Sequence, residues 1–382
     1  MRKKLLFFFI VFTFIFTTTS TFAATNTAFT IPGLQQKIPL FSYSASLPFH
    51  SSITKSPFSL FVSSLPVEKR NKIACLQPSQ EKVHVVNVAA TTLWLEPGVH
   101  RTLDEPSITA PVDLQTWTRS MNLDQKLWLV GKLETQALYG QEVTILQSKG
   151  EWLEVAVHDQ STPKNASGYP GWVPASHISE WNTFSQDCKL AIIEANTTTL
   201  YDNASFTKPF MDISFNTRLP VVKEGSDWIK VYTPSNEFKY LKKEHVVVFD
   251  GEDSIPKPVP TDVVESGKKF LGLPYLWAGT SGFGYDCSGF THSVYKRHGI
   301  YIPRDASAQF KAGTAVAKSD LQPGDLLFFA YENGKGRIHH VGMYVGNGQM
   351  IHSPNSSKSV EIVSFQTGIY AAEYAGARRY ID

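Results

Sequence analysis

Hydrophobic and polar positions change their rhythm along the chain. From Val83 the apolar residues come in short runs, Val83-His84-Val85-Val86-Asn87-Val88 and Thr91-Thr92-Leu93-Trp94, stopped at Pro97-Gly98. Short β-branched and aromatic runs bounded by turn residues predict strands. A long excursion, about Arg101 to Tyr139, contains an expected helix over Leu114 to Met121. Strands resume at Val143-Thr144-Ile145-Leu146, at Trp152 to Val157 and at Gly171-Trp172-Val173-Pro174. An internal echo follows: Gly150-Glu151-Trp152-Leu153-Glu154-Val155 returns as Ser226-Asp227-Trp228-Ile229-Lys230-Val231. The preceding strands, Val143-Thr144-Ile145 and Leu219-Pro220-Val221, keep the same offset. Two short-stranded β units of similar plan are expected.

Gly251 to Pro260, with three prolines, marks a linker. Beyond it Val263 to Leu271 predicts a helix, followed by a glycine-rich loop and a second helix from Cys287 to His298. Strands follow at Asp325 to Phe329, His340 to Val345 and Gln349 to His352. Helices first and an antiparallel sheet afterwards define an α+β domain.

Composition adds little except at the amino terminus and at cysteine. A formal net charge of +2 and the lack of any Lys/Arg block exclude an electrostatic case for nucleic acid. Met1-Arg2-Lys3-Lys4, the apolar run Leu5 to Phe16 and Thr21-Phe22-Ala23 have the layout of a cleaved export signal. The apolar run is shorter than the about 20 residues of a spanning helix, so no membrane anchor is expected after its removal. The expected location is secreted or associated with the cell wall, or periplasmic in a Gram-negative cell. Cys75, Cys188 and Cys287 are an odd set for an exported chain. Either Cys75 pairs with Cys188 or all three are reduced, and both arrangements leave Cys287 as a thiol.

Cys287 is expected at a helix start, where the positive end of the helix dipole lowers a thiol pKa. Phe290 and Val294, at helical spacing from it, turn the inner face to the sheet, and Gly289 admits a close neighbour. His340 and His352 flank Gly346-Asn347-Gly348. With pairing centred on Asn347 both imidazoles share one face; a plain two-residue Asn-Gly turn would separate them. The site therefore requires a three-residue loop or a bulge. Given it, Cys287 is the nucleophile, His340 the base and His352 the group that orients His340. His339 and His292 are expected to be ordinary hydrogen-bonded or solvated histidines. No cofactor or metal is called for, because the histidines lie in hairpin context without a Cys-x-x-Cys.

Family resemblance sharpens this. Leu273-Pro274-Tyr275-Leu276-Trp277-Ala278-Gly279, Asp286-Cys287-Ser288-Gly289-Phe290, Ile302-Pro303-Arg304, Leu321 to Leu326 and His340-Val341-Gly342-Met343-Tyr344 resemble NlpC-type, papain-like peptidoglycan peptidases. The two β units resemble tandem bacterial SH3-like domains, the second with Lys239-Tyr240-Leu241 where the first has Gly171-Trp172-Val173. The expected architecture is multidomain, two small SH3-like β-barrels followed by the α+β peptidase. Its bounds are a signal peptide over 1–23, an extended linker over 24–80, SH3-like domains over 81–180 and 187–250, a linker over 251–260 and the peptidase over 261–382.

The resemblance implies that Tyr275, with the Cys287 backbone N–H, stabilises an oxyanion. Ala278 departs from the glycine usual there and is expected to cost little, as a loop position away from the nucleophile. The whole arrangement resembles exported γ-D-glutamyl-L-diamino-acid endopeptidases of murein peptides. In that comparison Glu134 and Tyr169 of the first SH3-like domain bind the free amine of the substrate's L-alanine, with Glu142 a competitor to Glu134. Asp286, Ser288, Asp305 and Ala306 match the remaining substrate contacts, although Asp305 also suits a helix cap. A carboxylate pair, Glu134 and Asp286, would hold the ammonium. The implied partner is a murein peptide. Intact peptidoglycan, with the protein as a wall autolysin, and a non-catalytic wall-binding role are the alternatives.

Overall fold

Strand pairing turns the repeat into two matching sheets. The computed structural model describes residues 81–183 and 188–381. The expected signal peptide, the segment 24–80 and Cys75 lie outside the described residues. Cys188 is disulfide-bonded, and Cys287 is a free thiol. Among the described residues no helix is long and apolar enough to cross a membrane.

The first sheet comprises β1 (Lys82–Val86), β2 (Ala90–Trp94), β3 (Leu133–Leu138), β4 (Glu142–Lys149), β5 (Trp152–Val157), β6 (Tyr169–Pro174) and β7 (Ile178–Asn182). Their order is β3-β2-β6-β5-β4-β1-β7. Val86, Leu93, Ala137, Val155, Val157 and Val173 fill its interior. The second comprises β8 (Leu190–Ile193), β9 (Thr197–Tyr201), β10 (Pro209–Ser214), β11 (Arg218–Glu224), β12 (Trp228–Tyr232), β13 (Phe238–Lys242) and β14 (Val246–Phe249). Its order, β10-β9-β13-β12-β11-β8-β14, is the first one advanced by seven strands. The echoed Trp-x-x-Val segments are β5 and β12. Lys239-Tyr240-Leu241 lies in β13 and pairs with β12 as β6 pairs with β5, so the strand survives the loss of the Gly-Trp-Val motif.

β3 corrects the expected excursion. It pairs with β2 along its length, yet Thr135 and Gln136 are buried polar residues. Both face the third domain. Gln136 Oε1 accepts from the Thr280 N–H at 3.2 Å and from Ser281 Oγ at 2.8 Å. A second helix, Leu123–Trp128, follows the expected Leu114–Ser120 helix. Trp94, Leu114 and Trp117 share one core with Leu276, Ala278 and Phe283 of the third domain.

In the third domain the first helix spans Pro260–Lys268, starting earlier than expected because Pro260 sits in its first turn, where no N–H is needed. A short pair, β15 (Thr280–Ser281) and β16 (Gly284–Tyr285), precedes the nucleophile helix. The helix Cys287–Arg297 packs on a sheet of β17 (Thr314–Val316), β18 (Leu326–Ala330), β19 (Ile338–Gly346), β20 (Gln349–His352), β21 (Glu361–Ser364) and β22 (Tyr374–Arg379), ordered β17-β22-β18-β19-β20-β21. Every residue from Ser288 to Arg297 is buried. The helix therefore has no solvent face, which goes beyond the one inner face expected. Phe290 and Val294 join Phe270, Phe328, Val341 and Ile351 in the core. A side chain at Gly289 would meet the Gly279 carbonyl oxygen at 2.0 Å, so glycine is required by contact. Partly buried ion pairs join the domains: Lys296 with Asp159 of the first, and Arg297 with Glu194 of the second.

Candidate active site

Asp286 starts the nucleophile helix by accepting the Gly289 N–H at 2.6 Å, leaving Cys287 in the first turn. The thiol borders a cavity of 870 Å³ shared by the first and third domains. Burial pushes the Cys287 thiol up to about 12, and the Asp286 carboxylate adds to this. Hydrogen bonding to the Val341 backbone, the Arg304 charge and hydrogen bonding to the Ser288 backbone oppose it. The lowered thiol pKa expected from the helix start is thus outweighed by desolvation. Burial also pushes His340 well below its usual value, followed by the effect of His352. Burial thus favours the uncharged form of each group, and both line the same cavity.

The hairpin solves the parity problem with a bulge. Met343 pairs with Ile351 and Tyr344 with Met350, but Gly346 pairs with Gln349, leaving Val345 as the extra residue. The turn is tight, yet the register below it is centred on Asn347. His340 Nε2 and His352 Nδ1 lie 2.8 Å apart. For His340 to take a proton on Nδ1, its Nε2–H must donate to His352 Nδ1, which places the His352 proton on Nε2. That buried atom has no hydrogen-bond partner and faces Glu361 Oε1 at 3.6 Å. His339 bonds Glu373, and His292 Nδ1 lies 2.8 Å from the Ile302 carbonyl oxygen, so neither enters the pair.

Tyr275 is buried at the cavity. Burial, then the charges of Cys287 and Asp286, hold its phenol well above the usual range. It therefore stays protonated, as an oxyanion donor must. Ala278 lines the same cavity with φ +64°, a left-handed conformation. For a non-glycine residue this costs roughly 1–2 kcal/mol. The alanine is neither remote nor free of cost, contrary to the expectation.

Glu134 is the extra residue of a bulge in β3: Leu93 pairs with Thr135 and Trp94 with Leu133. Bulges re-aim side chains, and here Glu134 is turned into the cavity with Tyr169. Lys164 binds the Glu134 carboxylate. Tyr169 donates its hydroxyl to Asp305 Oδ1 at 3.0 Å. Asp305 precedes the helix Ala306–Ala312 without capping it by its side chain. Ala306 also lines the cavity. Glu142 is exposed and pairs with His158 at 3.4 Å, away from the cavity.

Asp286 lines the cavity and is also held by Arg304. Arg304 donates to its Oδ1 at 3.1 Å and its Oδ2 at 2.7 Å. Arg304 also donates to Ser288 Oγ at 2.9 Å and to Thr135 Oγ1 at 2.8 Å. Asp286 and Ser288 line the same cavity as Glu134 and Tyr169, and Asp305 stands beside Tyr169. Arg304 and Lys164 were not anticipated. Arg304 stood in a quoted motif, whereas Lys164 lies in a polar loop with no sequence signal. Among the described residues no group of three or more His, Cys, Asp or Glu is placed to hold a metal ion.

A thiol at a helix start, a histidine pair on a hairpin and a neutral tyrosine, in a domain that follows two SH3-like domains, define a papain-like cysteine peptidase. Comparison with known proteins agrees. Residues 272–379 match the NlpC/P60 family, 131–178 the bacterial dipeptidyl-peptidase Sh3 domain and 193–249 the YKFC SH3b2 domain. The chain is 47% identical over 328 residues to a gamma-D-glutamyl-L-lysine dipeptidyl-peptidase of Bacillus cereus, covering 85% of this chain and 96% of that one. It is 37% identical to the enzyme of the same name from Bacillus subtilis, covering 78% and 98%. The crystal structure of an NlpC/P60 family protein from Bacillus cereus superposes with a TM-score of 0.75 at 48% identity, covering 79% of this chain and all of that one. The chain belongs to the NlpC/P60 family of cysteine peptidases.

Proposed function

We propose that this peptidase hydrolyses the bond between the γ-carbonyl of D-glutamate and an L-diamino acid in murein peptides that begin with a free L-alanine. The observation that carries the reading is the acidic, aromatic face of Glu134, Tyr169 and Asp305 on the cavity that also holds Cys287. A carboxylate and a phenol on the cavity that holds the nucleophile suit a primary ammonium. A peptide whose alanine is amide-linked lacks that charge and would leave the carboxylate unpaired. The names carried by the Bacillus relatives support the same bond. In the reaction His340 takes the Cys287 proton as sulfur attacks the γ-carbonyl, and Tyr275 with the Cys287 N–H holds the oxyanion. His340 then protonates the leaving amine, a thioester remains, and water activated by His340 releases the acid. The leader over residues 1–23 supports an exported enzyme that acts on wall peptides outside the cytoplasmic membrane.

The test is hydrolysis of L-Ala-γ-D-Glu-L-Lys against its N-acetylated twin, with Cys287→Ala as the blank. Cleavage confined to the free-amine peptide is expected. Equal cleavage of both would retire the amine clamp and favour an autolysin of intact wall. Cleavage of neither would overturn the proposed substrate.

A further inference from the structure

Lys164 lies between β5 and β6, on the cavity wall. Its ammonium binds Glu134 Oε2, donates to the Tyr169 hydroxyl at 3.0 Å and lies 4.6 Å from the Tyr169 ring centroid. A carboxylate, a phenol oxygen and an aromatic face are the contacts that a primary ammonium seeks. The chain's own lysine makes them all.

We propose that Lys164 is a specificity-determining residue that fills the amine clamp of the empty enzyme and is displaced by the substrate's ammonium. The inference rests on the reading of Glu134 and Tyr169 as that clamp. The two partners differ in access to water: the Lys164 side chain is 43% exposed and that of Glu134 15%. Lys164 can therefore withdraw into solvent cheaply, whereas Glu134 keeps a counter-charge only if another cation arrives. An incoming ammonium exchanges one ion pair for another. A neutral amide has nothing to exchange, so it meets a filled clamp. The apparent affinity of the free-amine substrate is reduced by the fraction of enzyme in which the clamp is open.

The test is steady-state kinetics of wild type, Lys164→Met and Lys164→Arg on L-Ala-γ-D-Glu-L-Lys and its N-acetyl twin, with calorimetric binding of the dipeptide L-Ala-γ-D-Glu. An exposed ion pair of ordinary strength keeps the clamp mostly closed, so Lys164→Met should lower KM for the free-amine peptide by about fivefold, with the gain in KM rather than kcat. Dipeptide affinity should rise by a similar factor, and Lys164→Arg should keep or raise the wild-type KM. An unchanged or higher KM in Lys164→Met, with wild type still preferring the free amine, overturns the role of Lys164 and leaves the clamp standing. Loss of that preference in wild type removes the clamp itself, and this proposal with it.

Discussion

Replacing Arg304 by methionine tests the joint beneath the nucleophile. Arg304 is 1% exposed and holds both oxygens of Asp286, which is 8% exposed, besides Ser288 and Thr135. Methionine occupies much of the same space but leaves a buried carboxylate without its counter-charge. Breaking a buried pair from one side costs about 3–5 kcal/mol. Asp286→Asn removes the charge while keeping a side-chain acceptor for the Gly289 N–H, since asparagine caps helices as well as aspartate does. The double variant should therefore be more stable than the sum of the single losses predicts, by about 1–3 kcal/mol. Calorimetry supplies the assay: Arg304→Met should lower the main transition by about 10 °C, and adding Asp286→Asn should recover part of it. If the two losses simply add, the uncompensated carboxylate is not the cause and the reasoning fails. The Arg304 charge also lowers the Cys287 pKa, so alkylation of the thiol should slow in the single variant.

Three further outcomes follow from buried charge. Desolvation of Asp159 is overcome by Lys296, with help from Gln141, holding its carboxyl at about 2 against a usual 3.8. Its contribution, about 2 kcal/mol, is complete above pH about 4 and lost as pH falls toward 2; Asp159→Asn should remove that limb from stability measured against pH. Burial holds His177, His292, His298 and His352 at about 4 against a usual 6.5. Burial of the neutral rings carries no charge penalty above pH about 6.5, and the cost of charging them grows as pH falls toward 4, so urea midpoints should drop across that window; a flat profile would contradict it. Glu361→Leu should lower kcat about tenfold by removing the carboxylate that faces His352 Nε2 at 3.6 Å, with Glu361→Gln retaining most activity; an unchanged kcat in the leucine variant would show that Glu361 does not support the histidine pair.

The strands legible in the sequence are those whose alternation answers to their own domain's core, as in β5, with Val155 and Val157 inside. β3 was not legible because Thr135 and Gln136, polar in sequence, are buried against a neighbouring domain that no local pattern announces. The helix Ala306–Ala312 and strands β21 and β22 escaped for a related reason: their positions depend on partners distant in the chain. At the site, Cys287, His340 and His352 could be read because motif and parity act over short spans, and only the choice between loop and bulge was left open. The hold of Arg304 on Asp286 was not legible, because it comes from eighteen positions on.

The bulge in β3 would let the proposed recognition and the chemistry reside in different domains without losing register. Glu134 is freed from pairing by the bulge, while its two successors are fixed. Thr135 Oγ1 accepts from Arg304 and donates to Gln160 at 2.6 Å, and Gln136 holds Thr280 and Ser281. Sliding the first domain over the third would strip these buried groups of partners, each at a cost of about 1–3 kcal/mol. Arg304 then carries the constraint to Asp286, the residue before Cys287. The position of Glu134, the proposed clamp, relative to the sulfur is thus set by buried polar contacts, whose directionality fixes a distance that apolar packing alone would leave loose.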